Sequence, residues 1–175
     1  MIKDTGVKNA VINWISPLYK ENADYVDADG NLLIYISANF GEDVTYPAVI
    51  VDIINKKQVT SRGNGLASMN LITGERIIYY YWDYQIALSS YSEIDEESSD
   101  IIQYIISAIR EAGTKPSSAV VTITNFYDHM QPGQPVEINR KGAKKLWQTK
   151  CVLLIRAREI TTIEGDLPSL TLLDE

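Results

Sequence analysis

The sequence predicts an α+β fold: a single mixed, mainly antiparallel β-sheet with about two helices packed on one face. Three observations carry this expectation. An apolar stripe at helical spacing runs through 92–113, and a long segment over 76–91 alternates with the period of a strand. The remaining apolar runs are separated by turn-rich stretches, giving the order α, β, β, loop, β, α, β, loop, β.

The first element is a helix over 5–22. Val7, Ala10, Val11, Trp14, Ile15 and Leu18 recur at helical spacing, and Asp4 or Thr5 can cap the start. Pro17 is expected to kink or end it, because proline lacks the amide that the helical ladder needs. A turn at Asp27, Ala28, Asp29 and Gly30 follows. Strand-like "NLLIYISANF" and "DVTYPAVIVDIIN" come next. In the latter Val49, Val51 and Ile53 alternate with Ile50, Asp52 and Ile54, as in an interior strand. The span 55–76 lacks strong periodicity and reads as a long loop, with room for a short hairpin around "LITGERI".

The strand over 76–91 has two faces. Ile78, Tyr80, Trp82, Tyr84, Ile86 and Leu88 form a core face. Ile77, Tyr79, Tyr81, Asp83, Gln85, Ala87 and Ser89 form the other, which starts apolar and turns polar. The helix over 92–113 then presents Ile94, Ile101, Ile102, Ile105, Ala108, Ile109 and Ala112 on one stripe. Ser92 is its N-cap candidate, Gly113 its C′ residue, and Glu93, Asp95, Glu96 and Glu97 complement the helix dipole. Its stripe is expected to pack on Tyr80, Trp82, Tyr84 and Ile86. Strands "SAVVTITNFYD" and "KKLWQTKCVLLIRAREI" close the sheet around a second loop, 128–142. The tail over 164–175 is either an extra edge strand or a flexible arm. The whole, 1–175, reads as one domain, since no composition break marks a second.

The totals restrict function. A chain of 175 residues that is 45% hydrophobic can bury a core without staples. A formal charge of −7 argues against general adhesion to nucleic acid, which is built on a basic surface. One cysteine, Cys151, permits no internal disulfide and suits a reducing compartment. No apolar run approaches the ~20 residues that cross a bilayer. The expected setting is cytosolic or within an assembled particle.

Chemistry is sparse. His129 is the single histidine and reads as a solvated loop residue; Cys151 reads as a small buried hydrophobe. The "DADG" stretch fails the calcium-loop spacing, because Gly30 at the sixth position puts Tyr25 and Ile36 at the first and twelfth. The "RGNG" stretch is followed by no Gly-Lys-Ser/Thr, and the acidic cluster at 93–100 belongs to a helix start. No catalytic residue, metal ligand or cofactor site is expected. The aromatic run could stack single-stranded nucleic acid, but its neighbouring charge is acidic. Sheet packing combined with a subunit contact suits it better. A small α/β enzyme or ligand-binding module without a recognisable motif is the alternative from another class.

The middle of the chain resembles the bacteriophage tail terminator, or neck terminator, family. The residues that carry the resemblance are "YPAVIVDII", the following stretch with "RGNG", the aromatic strand "RIIYYYWDYQIALSSYS" and the helix "IDEESSDIIQYIISAIR". Such proteins tend to show this strand–helix step with a serine/tyrosine junction and an acidic helix start. The resemblance implies a structural virion protein without catalysis or cofactor, in a homo-oligomeric ring, commonly a hexamer. Such a ring caps the tail tube, meets head or neck connector proteins, and lets DNA pass through its lumen without specific binding. Another head–tail connector or neck completion protein is the nearest alternative. On this expectation Tyr79 and Tyr81 lie at the subunit interface. Lys56, Lys57, Arg62, Arg140 and Lys141 sit on the docking loops.

Overall fold

The structure, a computed structural model, describes residues 4–39, 44–59, 65–112, 122–127, 130–138 and 145–164. Helix α1 spans Asp4–Lys20 and α2 spans Asp95–Ala112; the strands are β1 (Tyr35–Ser37), β2 (Ala48–Gln58), β3 (Gly65–Met69), β4 (Arg76–Ser92), β5 (Thr122–Tyr127), β6 (Val136–Ile138) and β7 (Leu146–Ile163). They form one mixed sheet in the order β1-β2-β4-β7-β5, with β3 also paired to β4 and β6 also paired to β7. Only the β1–β2 pair is parallel. The α+β class and the mainly antiparallel sheet are therefore as the sequence predicts.

Two strands dominate. β4 and β7 pair without interruption from Arg76↔Ile163 to Ser92↔Trp147. At ~3.4 Å per residue the seventeen residues of β4 extend roughly 58 Å. The eighteen residues of α2 cover about 27 Å. The helix layer can shield only half of this ribbon. In that proximal half, one core joins Val7, Val11 and Ile15 of α1, Ile101, Ile105 and Ile109 of α2, Val49 and Val51 of β2, Tyr84, Ile86 and Leu88 of β4, and Leu153 and Ile155 of β7. Both helices thus lie on one face. Trp82 packs at the margin of the core, and Tyr80, half-buried, is not part of it. The helix stripe meets the expected strand face, but nearer the C-terminal end of β4, at Tyr84, Ile86 and Leu88.

Several local readings need correction. α1 runs from Asp4 to Lys20, close to the expected 5–22, so Pro17 does not end it. Its last turn is anchored beyond the proline: Tyr19 is fully buried, meets Tyr25 edge to face (5.4 Å) and packs tilted against Tyr104 (5.5 Å), and the Tyr104 hydroxyl donates to the Leu18 carbonyl (2.8 Å). These contacts outweigh the one missing ladder bond. The strand expected over 31–40 shrinks to β1. The preceding residues form a 3₁₀ turn at Ala23–Tyr25 and a bridge between Val26 and Leu32. The Asp27–Gly30 turn closes that bridge, with Asp27 Oδ1 accepting the Asp29 and Asn31 amides and Gly30 at a φ of 80°. The Asn31 side-chain amide, which donates to Asp27 Oδ2 (3.0 Å), and then these backbone amides hold the Asp27 carboxyl below its ordinary range. α2 starts at Asp95, so Ser92 ends β4. Its hydroxyl still accepts the Ile94 amide (3.1 Å) and donates to the Glu97 carboxylate.

The two spans read as loops are partly sheet. Within 55–76, β2 runs on to Gln58, and the short hairpin expected around "LITGERI" is present: β3 pairs with β4 across a tight turn at residues 70–75. Within 128–142, β6 pairs with β7 and Met130 is buried; Arg110 Nη2 donates to the Met130 carbonyl (3.0 Å). Gly113, His129 and the tail over 165–175 lie outside the described residues.

Candidate assembly surface

Beyond Tyr84 the ribbon leaves the helix layer and both of its faces are half-buried. Strand pairing assigns the side chains. On the face continuous with the core, Tyr80 is opposite Glu159 and Trp82 opposite Ala157. The Trp82 indole donates to Glu159 Oε2 at 3.1 Å. On the second face, Tyr79 is opposite Ile160, Tyr81 opposite Arg158, and Asp83 opposite Arg156. Arg156 grips Asp83 with two hydrogen bonds, Nε to Oδ1 at 2.6 Å and Nη2 to Oδ2 at 2.9 Å. This fork fixes geometry, while its partial exposure keeps the net stabilisation small. The Arg158 guanidinium lies 4.6 Å from the Tyr79 ring centre, a diagonal cation–π contact. Its Nε is buried with no acceptor among the described residues.

Tyr79 and Tyr81 therefore share one face, as the alternation predicts. Among the described residues the Arg158 guanidinium covers part of the Tyr79 ring, and Tyr81 lies opposite Arg158 across the strand pair. The basic residues assigned to docking loops divide. Lys56 and Lys57 are on β2, not on a loop. A bulge between Ile53 and Asn55 reverses the alternation, so Lys56 pairs with Tyr84 on the helix face. Its ammonium bonds Asp4 Oδ1 (2.9 Å) and lies 4.8 Å from the Trp82 ring and 5.3 Å from the Tyr84 ring. Burial lowers the Lys56 pKa, but the Asp4 hydrogen bond, with the Tyr84 hydroxyl close by, outweighs it and holds it above the ordinary value. This lysine is a clamp between sheet and α1. Lys57 is exposed on the second face, in register with Asp83. Arg62, Arg140 and Lys141 lie outside the described residues.

The most exposed apolar side chains are at the far end. Leu71 is 79% and Ile72 89% exposed on the β3–β4 turn, flanked by Met69 and Ile163. Nothing in the sequence pattern over 55–76 marked these two, because a turn within a weakly periodic stretch has no face against which to score them.

The edge of β2 is blunted. Asp52 Oδ1 accepts the Ile53 amide, Asn55 Oδ1 accepts the Lys56 amide, and Lys8 bonds both Asp52 Oδ1 (2.7 Å) and the Ala38 carbonyl. Together with the bulge, these contacts disfavour strand addition there. Lys8 first among its hydrogen-bond partners holds the Asp52 carboxyl low.

At the junction of α2 with the sheet, Ser90, Ser98 and Thr149 are buried together. Ser98 Oγ and Thr149 Oγ1 are 2.8 Å apart, and Ser90 Oγ donates to the Ser98 carbonyl. Hydroxyls bonded this way pin a helix start; among the described residues their partners are one another and backbone carbonyls. Among the described residues no group of three histidines, cysteines or acids is placed to hold a metal ion. No described helix is long and apolar enough to cross a membrane. No family model matches the chain, and no curated protein matches it.

Proposed function

We propose that this chain is the subunit of a homo-oligomeric ring of the tail-terminator type, a structural virion protein that caps a phage tail tube and joins it to the head or neck. The observation that carries the reading is the distal half of the β4–β7 ribbon. It projects past the helix layer with Tyr79 and Tyr81 on one face and bare apolar side chains at its tip. An isolated subunit gains nothing from displaying such a surface, whereas an assembly buries it. Aromatic residues backed by arginine are the usual anchors of such contacts. The family resemblance of the middle segment supplies the rest: a hexameric ring, a tube protein below, connector proteins above, and DNA passing through the lumen without specific binding. The net charge of −7 supports the last point by leaving little to grip a phosphate backbone. The proposed role involves no turnover.

Light scattering across a concentration series, followed by electron microscopy, tests it. Discrete particles with a central hole are expected. A monomer at every concentration, with no rings on the grid, overturns the reading.

A further inference from the structure

Two surface features lie at opposite ends of the same rigid strand pair. The first is the tip. Asn70 Oδ1 accepts the amides of Ile72 (2.9 Å) and Thr73 (3.3 Å), the Gly74 amide donates to the Asn70 carbonyl (2.8 Å), and the Asn70 amide donates to the Glu75 carbonyl (2.8 Å). Gly74 takes a φ of 71°, the left-handed conformation glycine enters without strain. The Thr73 hydroxyl accepts the Glu75 amide (3.3 Å) and completes the turn. The Leu71 and Ile72 side chains are held outward at 79% and 89% exposure. Apolar side chains on a pre-ordered turn lose little entropy when they dock.

The second feature is a groove of about 650 Å³ between the 131–136 segment and β7, lined by Pro132, Gln134, Val136, Gln148, Lys150 and Val152 among others. Val136 is 59% exposed. The segment is held against the strand by the Gly133 amide, which donates to the Lys150 carbonyl at 2.8 Å. A Cβ at Gly133 would sit 3.2 Å from that oxygen, so the close approach that shapes the groove favours glycine. The volume is within the ~300–1,000 Å³ of ordinary ligand clefts and admits two branched side chains. Charges also correspond. Among the described residues Lys150 is the one charged residue lining the groove, and the tip carries Glu75 and Glu164 with Arg76.

Thirteen positions of β7 separate Lys150 from Ile163, roughly 44 Å at strand rise, so a subunit cannot fill its own groove. We propose that the Leu71–Ile72 tip of one copy seats in the Pro132–Val136 groove of the next. The contact rests on the assembly reading above and specifies it. It is heterologous: each subunit offers one tip and one groove. Contacts of this kind propagate head to tail and close into a ring when the rotation permits.

Complementation tests the pairing. In one variant Leu71→Asp and Ile72→Asp charge the tip; in another Gln134→Asp and Val136→Asp charge the groove. All four positions are exposed, and circular dichroism checks that each variant folds. Where wild type forms rings, each variant alone should be monomeric. An equimolar mixture should stop at a heterodimer, because one intact tip and one intact groove remain between the two chains. Independently, Ile72→Cys with Val136→Cys should give an oxidation ladder of covalent multimers that neither single variant gives. Rings from the tip variant, a mixture that stays monomeric, or no ladder overturns the pairing and leaves the ring reading standing. A wild type that never assembles removes both.

Discussion

Cys151 points into the core from β7 at 1% exposure, and burial pushes its thiol from 9.0 up to about 12. The thiolate is the reactive form, so the native thiol should resist a disulfide reagent at roughly pH 8, and denaturant should release one thiol per chain. The group also makes stability depend on pH. An unfolded thiol ionises near 9 while the folded one keeps its proton to about 12. Its contribution is complete below the unfolded value and is lost as pH rises through this window. Tyr19, pushed up by burial first, acts in the same direction. The melting temperature should therefore fall across the alkaline range, and rapid labelling of native protein at neutral pH would contradict a buried Cys151. This residue was legible in the sequence because it alternates with Leu153 and Ile155. Lys56 was not. Its turn toward Trp82 and Tyr84 depends on the bulge after Ile53, and a one-residue slip in a strand moves every later side chain to the other face without a signal in composition.

At the scale of elements, α2 is the part most legible in the sequence. The centre of its stripe survives, with Ile101, Ile105 and Ile109 at 0–1% exposure in one core with Tyr84 and Ile86 of β4 and Leu153 of β7, whereas Ile94 precedes the helix at 57% exposure, Ala112 is exposed, and Ile106, outside the expected stripe, is buried. Ile105→Ala removes most of a fully enclosed side chain, and the surrounding helix and sheet are too regular to collapse into the gap. It should cost about 2–5 kcal/mol in denaturant titration. A loss near zero would mean that α2 docks through other residues. The short elements were legible only in part: β1 was read too long, β3 only as a possible hairpin, and β6 as loop. β1, β3 and β6 hold only three to five residues each, and each exists because a longer strand offers it a ladder. Local periodicity over so few residues cannot separate strand from loop; the pairing is decided by β2, β4 and β7, far away in sequence.

For the whole molecule, the decisive property is the mismatch between a long ribbon and a short helix layer. The sequence showed the length of the β4 segment and the two faces of its alternation. It did not show that β7 would match it residue for residue, and only that match carries Tyr79 and Tyr81 out to the unshielded half. Changing Tyr79→Ser together with Tyr81→Ser separates sheet packing from assembly. Within the subunit the visible loss at Tyr79 is the Arg158 contact, worth about 0.5–1 kcal/mol where exposed. At this chain length each kcal/mol moves the midpoint by about 2–4 °C, so the monomer should melt only slightly lower. Ring formation, however, loses two aromatic anchors at once, and each anchor of an interface commonly costs upwards of about 1–2 kcal/mol when truncated. The double variant should therefore remain folded and fail to form rings at concentrations where wild type assembles. A large drop in melting temperature would assign these tyrosines to the subunit's own sheet, because the rings would then be lost through unfolding. Assembly with unchanged affinity would remove them from the interface and leave the tip and the groove to carry the contact between neighbours.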